Sequence, residues 1–486
     1  MTQSWITEIV GSKGAKQIAA ALEQAILAGQ IHNGEKLPPM RNLAAKADVS
    51  VTTIATAYRI LSANGRISSQ VGRGSFVTAP REPIRKNGPA VNSHSFEGPW
   101  RRKTLAMSTA RLRGLYPSAV DCTTGSPDTS LLPWKVLQRK WIETLQRTAH
   151  SELQYGGPEP VEVLVQAMAP RLKADGIPCR DADLLIGSSA QQLMVLTFEV
   201  ACALSPRSAP VIAMEEPGYP TGLDTFERRC HVVGIRVDEY GAIPWSVETA
   251  LASGATAILL TPRAHNPTGA SWSTGRMREL AEVLAKFPGV TIIEDDHFAD
   301  IASTHPGSLL SDTRIEDRVV YIRSFSKAFG PDLRIAAAVA RPRLRNILMD
   351  AKGYADGWTS RMVQRVFAAA LVEDELQESL SIAKAEYAER RRRAAEGLSL
   401  GAARNDDGVN LWVGLPLGLE AAQVVERVAA LGALVVSGEP FFVRPGRREA
   451  VRLSVGAVSP EQAFRAGRLL AEAAVNPIHH RSAVPV

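Results

Sequence analysis

The sequence predicts two folded parts, a small α+β head and a larger α/β domain. Three observations carry this. The first eighty residues hold three short amphipathic stretches and then two alternating stretches around Gly72-Arg73-Gly74. From about residue 116, short apolar runs alternate with helical segments. Between them, residues 81–115 mix Pro, Gly and basic residues with weak periodicity, as an interdomain linker does. At 486 residues the chain is too long for one ordinary domain. We divide it into a head over 1–80, a linker over 81–115, a large domain over 116–478 and a short tail over 479–486.

Composition narrows the classes. With 45% hydrophobic and 22% charged residues the chain reads as globular. No apolar run reaches the ~18 to 20 residues that would span a membrane. The first twenty residues mix Glu, Lys and Gly with apolar residues and lack a signal-peptide core, so a cytoplasmic location is expected. Cys122, Cys179, Cys202 and Cys230 are far apart with no CxxC pair, which argues against a zinc site or a disulfide frame, and no metal is expected. A formal charge of +6 permits a polyanionic partner without requiring one.

In the head, residues 15–29 place apolar side chains at helical spacing, and Gly29 can end that helix. Pro38 and Pro39 introduce a short helix, Met40 to Ala47. After a tight turn through Asp48 and Val49, Ser50 is a good N-cap for a third helix running to about Asn64. Helix, tight turn and helix make a helix-turn-helix, and the two alternating stretches around Arg73 make a hairpin wing. Thr52 and Thr53, with Ser50 and Val51, stand at the start of the third helix, which enters the major groove in such motifs. Arg41 and Arg73 are placed to meet phosphate or a minor groove. Solvated surface arginines on a small bundle would be the ordinary alternative. Residues 12–79 resemble the winged helix-turn-helix of GntR-type regulators. The LPPSRELA and SRNTV usual there read LPPMRNLA and SVTTI here, so Val51 stands where an arginine is usual. The resemblance implies DNA as a partner.

In the large domain, PVIAMEE, HVVGIRV, TAILLTP, VTIIEDD and RVVYIRSFS read as strands buried on both faces of a parallel sheet. Polar residues cluster just after them, at the strand ends where ligands bind in such sheets. After DLLIG, Ser189, Ala190 and Gln191 open a helix whose N-terminus suits a phosphate. Tyr219 in EEPGYP offers a ring to stack on a planar cofactor. Asn266 in TPRAHNPTG can donate to a phenolic oxygen. IIEDDHF ends in two carboxylates, and SFSKAFGPDLR brings Ser324, Lys327 and Arg334. VRLSVG offers Arg452. Taken singly, each has an ordinary reading: a surface lysine, a turn, an N-cap, an ion-pair partner. Together they supply an amine for a Schiff base, a carboxylate for a pyridine nitrogen, an amide for a ring hydroxyl, and an arginine with a helix N-terminus for a phosphate. These are the parts that hold pyridoxal phosphate.

This region resembles the fold-type I aminotransferases. Behind the GntR-type head, the chain resembles the MocR/GabR family of transcriptional regulators, and its TPRAHNPTG and EDDHF wording resembles the PtsJ-like branch linked to vitamin B6 genes. The resemblance implies an internal aldimine on Lys327, with Asp295 on the pyridine nitrogen and Asn266 on the ring oxygen. It implies Arg334, Ser324 and the Ser189-Ala190-Gln191 turn on the phosphate, and Arg452 on the carboxylate of a substrate or effector. Tyr155, in LQYGGPEP, lies where the family sends a tyrosine to the partner subunit's phosphate. His297 stands where a tyrosine near the ring oxygen is usual, and a histidine ordinarily titrates near neutral pH. The family further implies a homodimer, head-to-tail, sensing pyridoxal phosphate or an amine. Two other readings stay open. One is a working aminotransferase with an accessory DNA-binding head. The other is a regulator whose large domain serves only to dimerise.

Overall fold

The structure, a computed structural model, describes residues 14–27, 30–31, 35–63, 67–70, 74–77, 100–206, 209–305, 307–400, 407–444, 446 and 449–474. The chain divides into two compact units, one within Met1–His94 and one within Ser95–Val486. Gly29, Arg73, residues 81–99 of the linker and the tail over 479–486 lie outside the described residues.

The head holds helices Ala15–Leu27, Met40–Ala47 and Val51–Ala63, and strands Ile67–Gln70 and Gly74–Val77 paired antiparallel. Ile18, Leu22 and Ile26, spaced four apart on the first helix, are buried against Leu43, Ile54, Tyr58 and Leu61. The second helix stops at Asp48, which sits in the left-handed region at φ 53°, a conformation aspartate tolerates better than most residues. Ser50 Oγ then accepts the Thr53 N–H at 3.1 Å, so the expected N-cap is present. Tyr58 Oη donates to the Pro38 carbonyl at 2.8 Å and ties the third helix to the Pro38-Pro39 entry of the second.

In the large unit an eight-stranded sheet runs, edge to edge, Leu184–Gly187, Ala336–Ala340, Val319–Ser324, Thr291–Asp296, Ala257–Leu260, Val211–Glu216, His231–Asp238 and Gly241–Ala242. The strands from Val319–Ser324 to His231–Asp238 are parallel neighbours. Thr291–Asp296 and Val319–Ser324 are buried at every position, charged strand ends included; the apolar part of each, Ile292-Ile293 and Val319-Val320, is what marks a strand buried on both faces. Ala336–Ala340 pairs antiparallel with both its neighbours. Its Ala336 and Ala338 pack with Leu193 and Met194 of helix Ala190–Leu204 in one core cluster, so its small side chains let that helix lie close to the sheet. A second sheet, of three strands, sets Ala450–Ser454 between Asn410–Gly414 and Val436–Ser437.

One expectation changes. Of residues 81–115, read as linker, Trp100–Leu115 is a helix of the large unit. Its buried residues are Arg101, Thr109 and Leu112. They share one helical face, but two of the three are polar, so the inward stripe carried no hydrophobic period for a sequence reading to detect.

The end of the Ala450–Ser454 strand is pinned against the Gly125-Ser126 segment. A Cβ on Gly456 would stand 2.2 Å from the Ser126 carbonyl oxygen. Gly456→Ala is expected to lower the thermal unfolding midpoint, through an overpacking cost of about 1–3 kcal/mol, as read by calorimetry.

Candidate cofactor site

Strand ends build the site. Asp295 is the penultimate residue of Thr291–Asp296, and its neighbour across the parallel pair is Ile322. Ser324 ends the next strand, and Lys327 follows in the short helix Ser326–Phe329. Successive strand residues point to opposite faces, and here that sorts the charged groups. Asp296 turns away from the cavity to Arg263, at 2.7 Å, and to the Tyr321 hydroxyl, at 2.6 Å. Arg323 turns the same way, to Asp300 at 2.8 Å and to Asp175. Asp295 and Ser324 are left facing the cavity.

That cavity holds about 410 Å³. Its wall includes Ser189, Ala190, Gln191, Tyr219, Asn266, Asp295, His297, Ser324, Lys327, Arg334 and Arg452. All but one of the large-domain residues singled out from the sequence are thus brought together. The exception is Tyr155, which is 92% exposed and lies edge-to-face on Trp358 at 5.7 Å.

Several contacts already orient the wall. Lys327 Nζ donates to the Gly125 carbonyl at 2.5 Å. Asn266 Oδ1 accepts from Arg452 at 3.3 Å and from Asn410 at 3.5 Å, so its amide nitrogen is the end that can donate to a ligand. Arg452 also donates to the Thr123 carbonyl at 2.6 Å and stacks on Phe441 at 4.9 Å. Ser189 caps helix Ala190–Leu204 by accepting the Gln192 N–H. The first N–H groups of such a helix have no partner within it. Arg334 is held in the left-handed region at φ 55°.

Burial dominates the electrostatics. The Lys327 amine is pushed down to about 8 by burial and then by the Arg452 charge, with Asp295 acting the other way. Asp295 is pushed up to about 7 by burial and then by Asp296, against the pull of Lys327. Burial likewise brings Arg452 down to about 10. His297 falls to about 4, from burial and then from Lys327. It is therefore neutral at pH 7, which corrects the sequence expectation that it titrates near neutrality. Beside it, His265 Nε2 lies 3.4 Å from Glu215 Oε2. Burial pushes Glu215 up to about 8 and His265 down to about 3. Burial thus favours the neutral form of each. Asp295 Oδ1, His297 Nδ1, Asn410 Oδ1 and Arg452 Nε are buried without a hydrogen-bond partner, and such atoms are costly unless something else satisfies them.

The sequence reading missed Gly125, Asn410, Glu215 and His265. Gly125 acts through a carbonyl, which leaves no side-chain signal. His265 adjoins Asn266 in TPRAHNPTG, and that adjacency is its one signal in the sequence. In the head, Arg41 and Thr52 are exposed. The hydroxyls of Ser50 and Thr53 bond each other at 2.7 Å, so both are engaged in the cap. Among the described residues no cluster of His, Cys, Asp and Glu is suited to a metal, and no helix is long and apolar enough to cross a membrane.

Comparison with known proteins bears on both units. Residues 14–77 match the family described as bacterial regulatory proteins, gntR family, and residues 128–467 match aminotransferase class I and II. The vitamin B6 salvage pathway transcriptional repressor PtsJ of Salmonella typhimurium is 31% identical over 444 residues, 90% of this chain and 93% of that protein. The HTH-type transcriptional regulator TauR of Rhodobacter capsulatus is 25% identical, covering 93% and 94%. Among solved structures, the multiple substrate aminotransferase of Thermococcus profundus aligns at TM-score 0.66 with 24% identity, over 76% of this chain and 94% of that one. The α-aminoadipate aminotransferase LysN of Thermus thermophilus, complexed with N-(5'-phosphopyridoxyl)-L-leucine, aligns at TM-score 0.64 with 24% identity, over 78% and 98%. These two share the fold of the large unit.

The shifted groups set a pH profile. A carboxyl raised in the folded state contributes stability that is full below its unfolded value and lost as pH rises through the folded one. Asp295 therefore lowers the stability of the ligand-free protein between about pH 4 and 7. Lys327, lowered when folded, exacts its full penalty below about pH 8 and releases it as pH climbs toward 10. Asp295→Asn is expected to be more stable than the parent at pH 7, with a flatter stability profile from pH 4 to 7. Denaturant unfolding at stepped pH checks this.

Proposed function

Because the chain belongs to the MocR-type transcriptional regulators, a GntR-family head joined to an aminotransferase class I and II domain, we propose that it senses pyridoxal phosphate, or an amine that reacts with it, in the cavity around Lys327. One observation carries the reading. The Lys327 amine shares its cavity with buried polar atoms that have no partner, on Asp295, His297 and Arg452. Their chemistry is complementary to a charged, planar, oxygen- and nitrogen-bearing ligand, so these residues fit the cofactor.

Pyridoxal phosphate, when bound, supplies an aldehyde that amines capture and a ring that draws electrons. The chain's own residues do the rest. With its amine lowered to about 8, Lys327 keeps roughly a tenth of its population as free base at pH 7. The Asp295 carboxylate accepts from a protonated ring nitrogen, and that partner lowers its pKa from the raised ligand-free value. Asn266 donates from its amide nitrogen to a ring oxygen. The neutral His297, in the place usually taken by tyrosine, offers a second polar contact there. Arg334, Ser324, Ser189 and the first N–H groups of the Ala190-Gln191 turn hold the phosphate. Tyr219 gives its ring face. Arg452, with Nε unsatisfied, takes the carboxylate of an effector by its planar fork.

In a head-to-tail homodimer the exposed Tyr155 is available to the partner's phosphate site. Arg41 and Arg73 meet DNA phosphate or a minor groove, and Ser50, Thr52 and Thr53 open the helix that meets the bases. Ligand binding shifts DNA affinity only if the two conformational states differ in ligand affinity. The relative PtsJ is named as a vitamin B6 salvage repressor, which favours a B6 vitamer as the effector.

A second reading is supported by the same Lys327 and Asp295 and by the likeness to aminotransferases. In it the chain is a working aminotransferase and the head is accessory. Turnover of amino donors with 2-oxo acids separates the two. The regulator reading expects cofactor-dependent DNA binding without sustained turnover.

Adding pyridoxal phosphate is expected to give an absorption band near the visible edge that Lys327→Ala abolishes while the far-ultraviolet spectrum is kept. An unchanged band would remove Lys327 from the site. For the head, Arg41→Ala is expected to weaken DNA binding and to reduce the slope of log affinity against log salt by about 0.9, the share of one phosphate contact. Titrations at stepped salt read this directly.

A further inference from the structure

We propose that Arg101 is a positioning residue that couples the cavity to the N-terminal end of helix Trp100–Leu115, and so to the DNA affinity of the whole chain. The inference rests on the ligand-sensing reading above and goes beyond it.

Arg101 is fully buried, in the first turn of helix Trp100–Leu115, where the described part of the large unit begins. Its guanidinium forks onto Glu227 at 2.5 and 2.6 Å and reaches Asp224 at 3.1 Å. It also donates to the Phe442 carbonyl at 3.0 and 3.1 Å and to that of Val443 at 2.7 Å. Asp224 in turn accepts the backbone N–H groups of Arg101, at 3.4 Å, and Arg102, at 3.0 Å. It therefore caps this helix from another element, with its negative charge at the positive end of the dipole.

The two segments so gripped are the cavity's own. Asp224 and Glu227 belong to helix Pro220–Glu227, whose N-cap is Tyr219, a cavity residue. Phe442 and Val443 follow Phe441, whose ring supports the Arg452 guanidinium. The segments are bound to each other as well: Gly218 N donates to the Phe441 carbonyl at 2.7 Å, and Val443 N to Glu216 Oε1 at 2.9 Å. A ligand that moves Tyr219 or Arg452 therefore pulls on Arg101. The buried guanidinium is shared among four acceptor groups, on Asp224, Glu227, Phe442 and Val443, so displacing it as a whole would strand desolvated polar groups, which makes it a stiff connection. Arg101 touches no cavity atom itself, so it acts through Tyr219 and Arg452, and its effect appears in the coupling between sites.

The test uses the full-length chain, with a duplex selected by the wild-type protein from a random pool. DNA affinity is measured without and with saturating pyridoxal phosphate, whose binding is followed by absorbance. Wild type is expected to change DNA affinity on the order of 5- to 150-fold, the usual range of coupling. Arg101→Gln is expected to bind pyridoxal phosphate and to match wild-type DNA affinity in its absence, while the change on adding it falls to within about twofold. A merely structural role would not move that ratio selectively. Glu227→Gln, at a carboxylate 31% exposed, is expected to reduce the ratio in the same direction, and it decides the matter if Arg101→Gln fails to fold. Folded variants that keep the wild-type ratio overturn the inference alone. A wild type that takes up pyridoxal phosphate with no change in DNA affinity, or takes up none, overturns the sensing reading and this inference with it.

Discussion

Neighbouring residues of a strand point to opposite faces of its sheet, and at the end of Thr291–Asp296 this gives two adjacent carboxylates different surroundings. Asp296 Oδ2 is bonded beneath the sheet by Arg263 and Tyr321, while its Oδ1 is buried without a partner. Asp295 faces the cavity with Oδ1 unpaired. The same alternation one strand away directs Arg323 to Asp300 and leaves Ser324 to the cavity. Every polar group of the wall is measured against this arrangement. On one face the charged groups pair with one another, and on the other Asp295 and Ser324 face the cavity.

Burial then decides how those groups behave. Without a ligand, the low-dielectric wall pushes the Asp295 carboxyl up, the Lys327 amine down and His297 down. At pH 7 the Asp295 and Lys327 shifts are costs carried by the folded state, whereas the lowered His297 is neutral there in either state. A ligand with complementary charge relieves those costs, so the stability given up here reappears as binding energy. Glu215 and His265, in contact with each other, are pushed by burial in the same way, each toward its neutral form.

The fold was legible in the sequence wherever a period was present. The five parallel strands stood out as apolar runs, and the head's three helices as amphipathic stretches stopped by Asp48 and capped by Ser50. The helix Trp100–Leu115 was read as linker because its buried face is built on Arg101 and Thr109. A hydrogen-bonded arginine core contact has no hydrophobic signature. The site was legible as a set of residue types in order, from Ser189 through Tyr219, Asn266, Asp295 and Lys327 to Arg452. Its carbonyl contributor, Gly125, was invisible for want of a side chain.

By itself, then, the sequence determined which elements form and which chemical groups stand at the strand ends, since local periodicity and turn chemistry are written residue by residue. Only the tertiary structure decided which groups share a cavity, which are neutralised elsewhere, and what protonation state burial imposes on them. Those properties depend on contacts between segments far apart in the chain. Lys327 against Gly125, Asn266 against Arg452, and Arg101 against Glu227 and Val443 are such contacts. The physical reason is that hydrogen bonding and desolvation act through space, and no pattern along the chain encodes the distance between two of its segments.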